Sequence, residues 1–156
     1  MKIPIIADPK LTGLHRTHNV DWIIFQSRGF ELMKRRIGEG DDSVAANSLL
    51  ESYGWKHLVV LAGGNGVTIY SQSDNTVHVA CTLPQLRQVI GLIDAAVVAI
   101  AVSISNGFSV SDTALLTNAA CECILSAEAT DSFSLSKDML IHRVGEIAWN
   151  LQVSKR

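Results

Sequence analysis

The sequence predicts an α+β fold, a small three-stranded antiparallel meander packed against four or five helices, with a helical C-terminal half. Three observations carry that prediction. Short β-rich runs at 58–62, 67–72 and 76–83 are separated only by the turn-forming Gly63-Gly64-Asn65-Gly66 and Ser73-Asp74-Asn75. Helix-period apolar stripes with recognisable caps lie on both sides of them. The length, 156 residues, suits a single globular domain over 1–156 whose core needs no disulfide or metal.

The elements follow in order. Pro4 and Pro9 leave residues 1–20 extended or irregular, since each proline holds its predecessor out of the helical region. Asp21-Trp22-Ile23-Ile24-Phe25 suits the start of a strand or of a helix, and so short a run does not separate the two. Phe30 to Ile37 reads as a short helix broken by Gly38 and Gly40. Asp41 and Asp42 are N-capping residues ahead of Val44-Ala45-Ala46 and Leu49-Leu50, and Gly54 supplies a left-handed stop. A helix is therefore predicted over 42–53, with Trp55 folding back to touch Leu50. In the last of the three strands Val77, Val79, Cys81 and Leu83 share one face, and Thr76, His78, Ala80 and Thr82 the other.

Pro84 suits the first turn of a helix that runs to about residue 103. The β-branched density after Val97 leaves a second possibility, a helix to Asp94 and a strand over 95–104. From Ser111 a helix places Leu115, Leu116, Ala119, Ala120, Cys123, Ile124 and Ala127 on one face. Cys121, read as semi-exposed, and Leu125 point to the other side. Ser136 caps the last helix, with Leu135 and Leu140 at staple positions. Its stripe is Leu140, Val144, Ile147 and Leu151, and opposite that stripe lie His142, Gly145 and Trp149.

Composition bounds the function. Thirteen basic against 15 acidic residues, a net charge of -2, argue against a nucleic-acid partner. The basic cluster from Arg28 to Arg36 is interleaved with Glu31 and reads as a solvated helix face. The apolar run 89–104 is interrupted by Asp94 and is shorter than the ~20 residues that span a bilayer, so no membrane role is expected. Cys81, Cys121 and Cys123 make an odd number of thiols, which fits reduced cysteines in a cytoplasm. Only 18% of residues are charged, against about 25% in an average domain. From His57 to Ala127 only Asp74, Arg87, Asp94, Asp112 and Glu122 carry formal charge. So poorly charged a stretch has little to cover an outer surface with, and a homo-oligomer, with a dimer favoured, is expected.

Motifs with a fixed spacing are missing. Gly63-Gly64-Asn65-Gly66 stands where a phosphate-binding loop would follow a strand. Val67-Thr68-Ile69-Tyr70 then reads as strand and not as the helix such a loop requires, so a hairpin turn is the reading. His15 and His18 lack further ligands, so no metal is expected, and no cofactor motif is present. Ser134-Leu135-Ser136-Lys137 matches an acylating Ser-x-x-Lys in spacing alone. The sequence thus points to a small soluble, non-catalytic interaction module of accessory, adaptor or inhibitor type. It would bind another protein through Cys121, Leu125, His142, Gly145 and Trp149. The alternative is a small enzyme or small-molecule binder whose site gathers dispersed polar residues, with Tyr70, His78, Asp94 and Asp112 as candidates.

Overall fold

The computed structural model describes residues 3–128 and 134–153, the side chains of 151–153 excepted. Five strands, β1 (Ile6–Ala7), β2 (Trp22–Gln26), β3 (His57–Leu61), β4 (Val67–Ser71) and β5 (Val77–Val79), form one sheet in that order. Five α-helices accompany them: α1 (Ser27–Ile37), α2 (Asp42–Tyr53), α3 (Leu92–Ser105), α4 (Val110–Ser126) and α5 (Lys137–Val153). The first three strands are parallel, Ile6 opposite Trp22 and Trp22 opposite His57. The connection after β3 is only residues 62–66, far short of the dozen or so that a parallel crossover needs, so the sheet turns antiparallel there.

The three-stranded meander is thereby corrected to a five-strand mixed sheet. Strands stand at all three predicted places, though the last spans only Val77–Val79 and not 76–83. The error lay in pairing, because the first of them has a parallel partner earlier in the chain, across α1 and α2. That partner, β2, is the segment whose strand or helix character the sequence left open, and it reads as unbroken apolar because it is buried on both faces. Residues 1–20, read as extended or irregular, carry the two-residue β1 and a 3₁₀ turn over Leu11–Arg16.

The chain forms two compact units, Met1–Ala62 with Thr68–Val77, and Gly63–Val67 with His78–Arg156. In the first, α2 follows its predicted limits. The Asp41 carboxylate accepts from Val44 N at 2.9 Å, Gly54 is left-handed, and Trp55 N donates back to the Leu50 carbonyl at 3.0 Å. Trp55 is fully buried among Phe25, Phe30, Leu49, Leu58 and Tyr70, and its indole N–H donates to the Thr17 carbonyl at 2.6 Å.

In the second unit α3 begins at Leu92 and not at Pro84, and 95–104 is helix throughout. Gly91 explains the late start. It adopts φ 85°, a conformation that no helix interior accepts and that Gly reaches without strain. A four-residue link joins α3 to α4, and the two pack through Ala95, Ala99, Ala120 and Ile124. Leu135 and Leu140 close on the same cluster, and Ser136 Oγ accepts from Met139 N at 3.2 Å, as the cap requires. Ile147 is buried, while Leu151 of the same stripe lies outside the described side chains. Gly66 is held at φ 90°, where an added Cβ would run into the main chain of Val79, Ala80 and Cys81.

Candidate active site

The second unit contains a helix N-terminus that no side chain caps. Gly91 precedes α3 and offers no side-chain acceptor, and a Cβ built there would meet nothing within 4 Å, while the Leu92 N–H turns back to the Val89 carbonyl at 3.4 Å. First-turn N–H groups have no partner inside a helix, and the dipole adds positive potential at that end. Asp94 is exposed within the same first turn. Donors for an anion and a carboxylate able to take a proton thus stand side by side.

Residues 80–91 lead into this terminus without regular secondary structure. The 3₁₀ turn Gly63–Asn65, which links β3 to β4, meets that segment. A Cβ on Gly64 would sit 3.4 Å from Leu86 Cδ1. A cleft of about 700 Å³ opens farther along, lined by Thr82, Pro84, His142, Arg143, Glu146 and Trp149 among others.

The predicted site residues scatter. Tyr70 is buried in the first unit against Phe30, ring centroids 5.9 Å apart, and burial raises its hydroxyl above the usual range. His78 is exposed on β5. Asp112 is engaged in the cap of α4, where it accepts from Ser109 Oγ at 2.6 Å while its own N–H donates to that hydroxyl at 3.1 Å. With α3 and α4 joined by so short a link they run antiparallel, so Asp94 and Asp112 stand about one helix length, ~20 Å, apart. The four ligand candidates do not converge. Of the contact candidates, His142, Gly145 and Trp149 do come together on the wall of the cleft, with Trp149 at 67% exposure. Cys121 and Leu125 are buried, which corrects the two-faced reading of α4. That helix is enclosed nearly all round, so the side opposite its main stripe is interior as well.

Thiol chemistry finds no support. Burial pushes Cys121 up to about 12, with Cys81 and Glu122 adding to the effect. Cys81 and Cys123 are raised chiefly by burial too. Among the described residues no three His, Cys, Asp or Glu side chains gather as a metal site. Sequence reasoning missed Gly91, the segment 80–91 and the buried Glu122. A signal for the first existed, since a glycine N-cap followed three residues later by Asp94 marks a helix start. Pro84 drew the start too early.

No protein-family model matches the chain. Among curated proteins it resembles the bifunctional protein HldE of Hyphomonas neptunium, 30% identical over 124 residues, which is 77% of this chain and 25% of that protein. HldE of Photobacterium profundum is 24% identical over 132 residues, covering 84% and 28%. Among solved structures, ribokinase of Thermotoga maritima superposes with a TM-score of 0.78 at 19% identity, over 91% of this chain and 49% of that one. Phosphofructokinase-2 of Escherichia coli, solved with substrates and products, gives 0.76 at 18%, over 93% and 48%.

The fold is ribokinase-like. The likeness to the bifunctional HldE proteins, together with these kinases, overturns the expectation of a non-catalytic accessory, adaptor or inhibitor. The chain spans about a quarter of the length of these curated relatives and just under half of the solved kinases. Phosphofructokinase-2 also has a tetrameric inhibited form. Among the described residues of the present chain no helix is long and apolar enough to cross a membrane.

Proposed function

We propose that this chain carries the phosphoryl-transfer end of a ribokinase-type sugar kinase, acting from ATP on a sugar hydroxyl. The observation that carries the reading is the uncapped N-terminus of α3, with Gly91 in front of it and Asp94 in its first turn. On that geometry the sugar hydroxyl gives its proton to the Asp94 carboxylate while its oxygen attacks the terminal phosphorus of ATP. The bond from that phosphorus to the bridging oxygen breaks, and ADP leaves. First-turn N–H groups hold the charge on the transferred phosphoryl oxygens.

The same geometry sets a limit. Arg87 is the only formally positive side chain between His57 and Ala127, and it already pairs with Glu128 at 3.1 Å. The stretch Val89-Ile90-Gly91-Leu92-Ile93 offers no hydroxyl. Within this stretch phosphate binding rests on main-chain dipoles. Calorimetric titration with ATP, then phosphorylation of a panel of sugars and sugar phosphates, tests the reading. Asp94→Asn should lower kcat by about 10²- to 10⁴-fold and leave ATP binding in place. A wild-type chain that binds no ATP, or an Asp94→Asn variant of undiminished turnover, overturns it.

Self-association and a cytoplasmic location belong to the same proposal. Val98 and Val102 lie one turn apart on α3 and are 57% and 44% exposed, with Phe108 beyond them at 47%. That stripe and the exposed Trp149 are the surfaces proposed for a second copy. Use of ATP and three free cysteines suit the cytoplasm. Native mass spectrometry at low micromolar concentration would show a dimer, and a monomer there would remove the self-association half of the proposal.

A further inference from the structure

Segment 80–91 has no regular secondary structure, yet it is tied to α4 at residues 80, 82, 87 and 88. Asn118 Nδ2 donates to the Ala80 carbonyl at 3.2 Å. Glu122 accepts from Thr82 N at 2.6 Å and from Thr82 Oγ1 at 2.8 Å. Farther on, Arg87 N donates to the Leu125 carbonyl at 2.8 Å and Gln88 Nε2 to the Ile124 carbonyl at 3.1 Å. The last two ties use carbonyls in the final turn of α4, and the Ile124 carbonyl also accepts from the Ala127 N–H at 3.1 Å. The Thr82 tie is different in kind, because it uses a carboxylate that is 0% exposed.

A buried carboxylate is expensive, and replacing such a group with a packed apolar side chain often leaves stability unchanged or improves it. Glu122 is held by a full set of partners. Besides Thr82 it accepts from Asn118 Nδ2 at 3.1 Å, and Arg143 Nη1 of α5 stands 3.7 Å away. Arg143 in turn pairs with Glu146 at 3.0 Å. Charge-assisted bonds of this kind are shorter and stronger than neutral ones and fix geometry better. They grip the chain at Thr82, upstream of Gly91 and Asp94, and between Thr82 and Gly91 only the ties at Arg87 and Gln88 hold the segment to α4 among the described residues.

We propose that Glu122 is a positioning residue. Through Thr82 it sets the course of segment 80–91 and so places Gly91 and Asp94 at the mouth of α3. The catalytic consequence rests on the kinase reading above, while the structural one does not. Hydrogen exchange by mass spectrometry on the full chain separates the two, since it needs no nucleotide. Thr82 is only half-buried, so Thr82→Val removes the hydroxyl tie with little risk to the core. Exchange over 82–91 should rise about tenfold in that variant, as loss of a hydrogen bond to a charged group implies. Peptides of α3 and α4 should exchange as before, and Thr82→Ser should restore protection. Glu122→Gln should loosen the same segment in the same selective way. Where the wild type phosphorylates a sugar, Thr82→Val should lower kcat and leave KM for the sugar unchanged. Unchanged exchange over 82–91, or loosening spread equally over α3 and α4, would overturn the proposal. A wild type without nucleotide binding would sink the kinase reading and leave the exchange test intact.

Discussion

The two units bury different kinds of matter. The first is filled by large side chains, with Trp55 stacked on Tyr53 at 4.5 Å between ring centroids and tilted against Phe25 at 6.0 Å. Its buried polar residues, Thr17, Asp21, Lys34 and Ser71, retain 5–9% exposure near the rim. The second unit packs two helices through alanines and places Ser103, Thr113, Thr117, Asn118 and Glu122 at 0–2% exposure. Alanine contacts allow helices to approach closely, and they leave polar side chains little room to choose other partners. The first unit is held by the volume of large side chains, and the second packs small ones closely around buried polar groups, one of which, Thr117 Oγ1, has no hydrogen-bond partner among the described residues. The uncapped helix terminus belongs to the second.

If volume governs the first unit, truncating its largest buried side chain should have the largest effect anywhere in the chain. Trp55→Ala should cost about 3–5 kcal/mol in a urea titration, and a loss below ~1 kcal/mol would contradict the contrast. The second unit should fail in the opposite direction, by overfilling. Ala120→Leu forces a branched side chain between α3 and α4 and should destabilise by about 1–3 kcal/mol, again read from the urea midpoint. A neutral result there would show slack where close packing is claimed.

A smaller effect sharpens the polar side of the comparison. His57 stacks on Trp22 at 4.0 Å and hydrogen-bonds Ser71 Oγ at 2.8 Å. Burial holds its imidazole below the usual value of 6.5, and Lys56 adds to that while Asp74 and Asp21 oppose it. The unfolded chain then takes up a proton before the folded one as pH falls. Stability should decline once pH drops below about 6.5 and level off below the folded value. Replacing His57 with Gln should flatten that part of the pH–stability curve. An identical slope in the variant would assign the acid sensitivity elsewhere.

How much of this was legible in the sequence follows the same division. The cap at Asp41, the stop at Gly54 and the return of Trp55 to Leu50 are local events, and local chemistry announced them. Pairing of β2 with β3 is not local. The four buried apolar residues Trp22 to Phe25 carry no alternation, and a parallel partner beyond two helices leaves no turn to read. Asp94 was noticed as a polar residue in an apolar run, but its use depends on Gly91, whose left-handed backbone was masked by an earlier proline. Glu122 looked like one charge on a helix of small residues. Only the arrival of Thr82 from 40 positions away makes it a hub.

Gly66 has a consequence best put in evolutionary terms. Gly13, Gly40 and Gly145 can drift, since they have open space where a side chain would go and no left-handed backbone. Position 66 has none, because the obstacle is the main chain of Val79 to Cys81, which no substitution elsewhere can trim. Lineages can exchange the residues that bind or react and keep the architecture. A change at 66 removes the fixed point from which segment 80–91 departs, so it closes off every later adaptation of the helix mouth downstream. Among descendants of this sequence, that glycine should outlast the chemistry it supports.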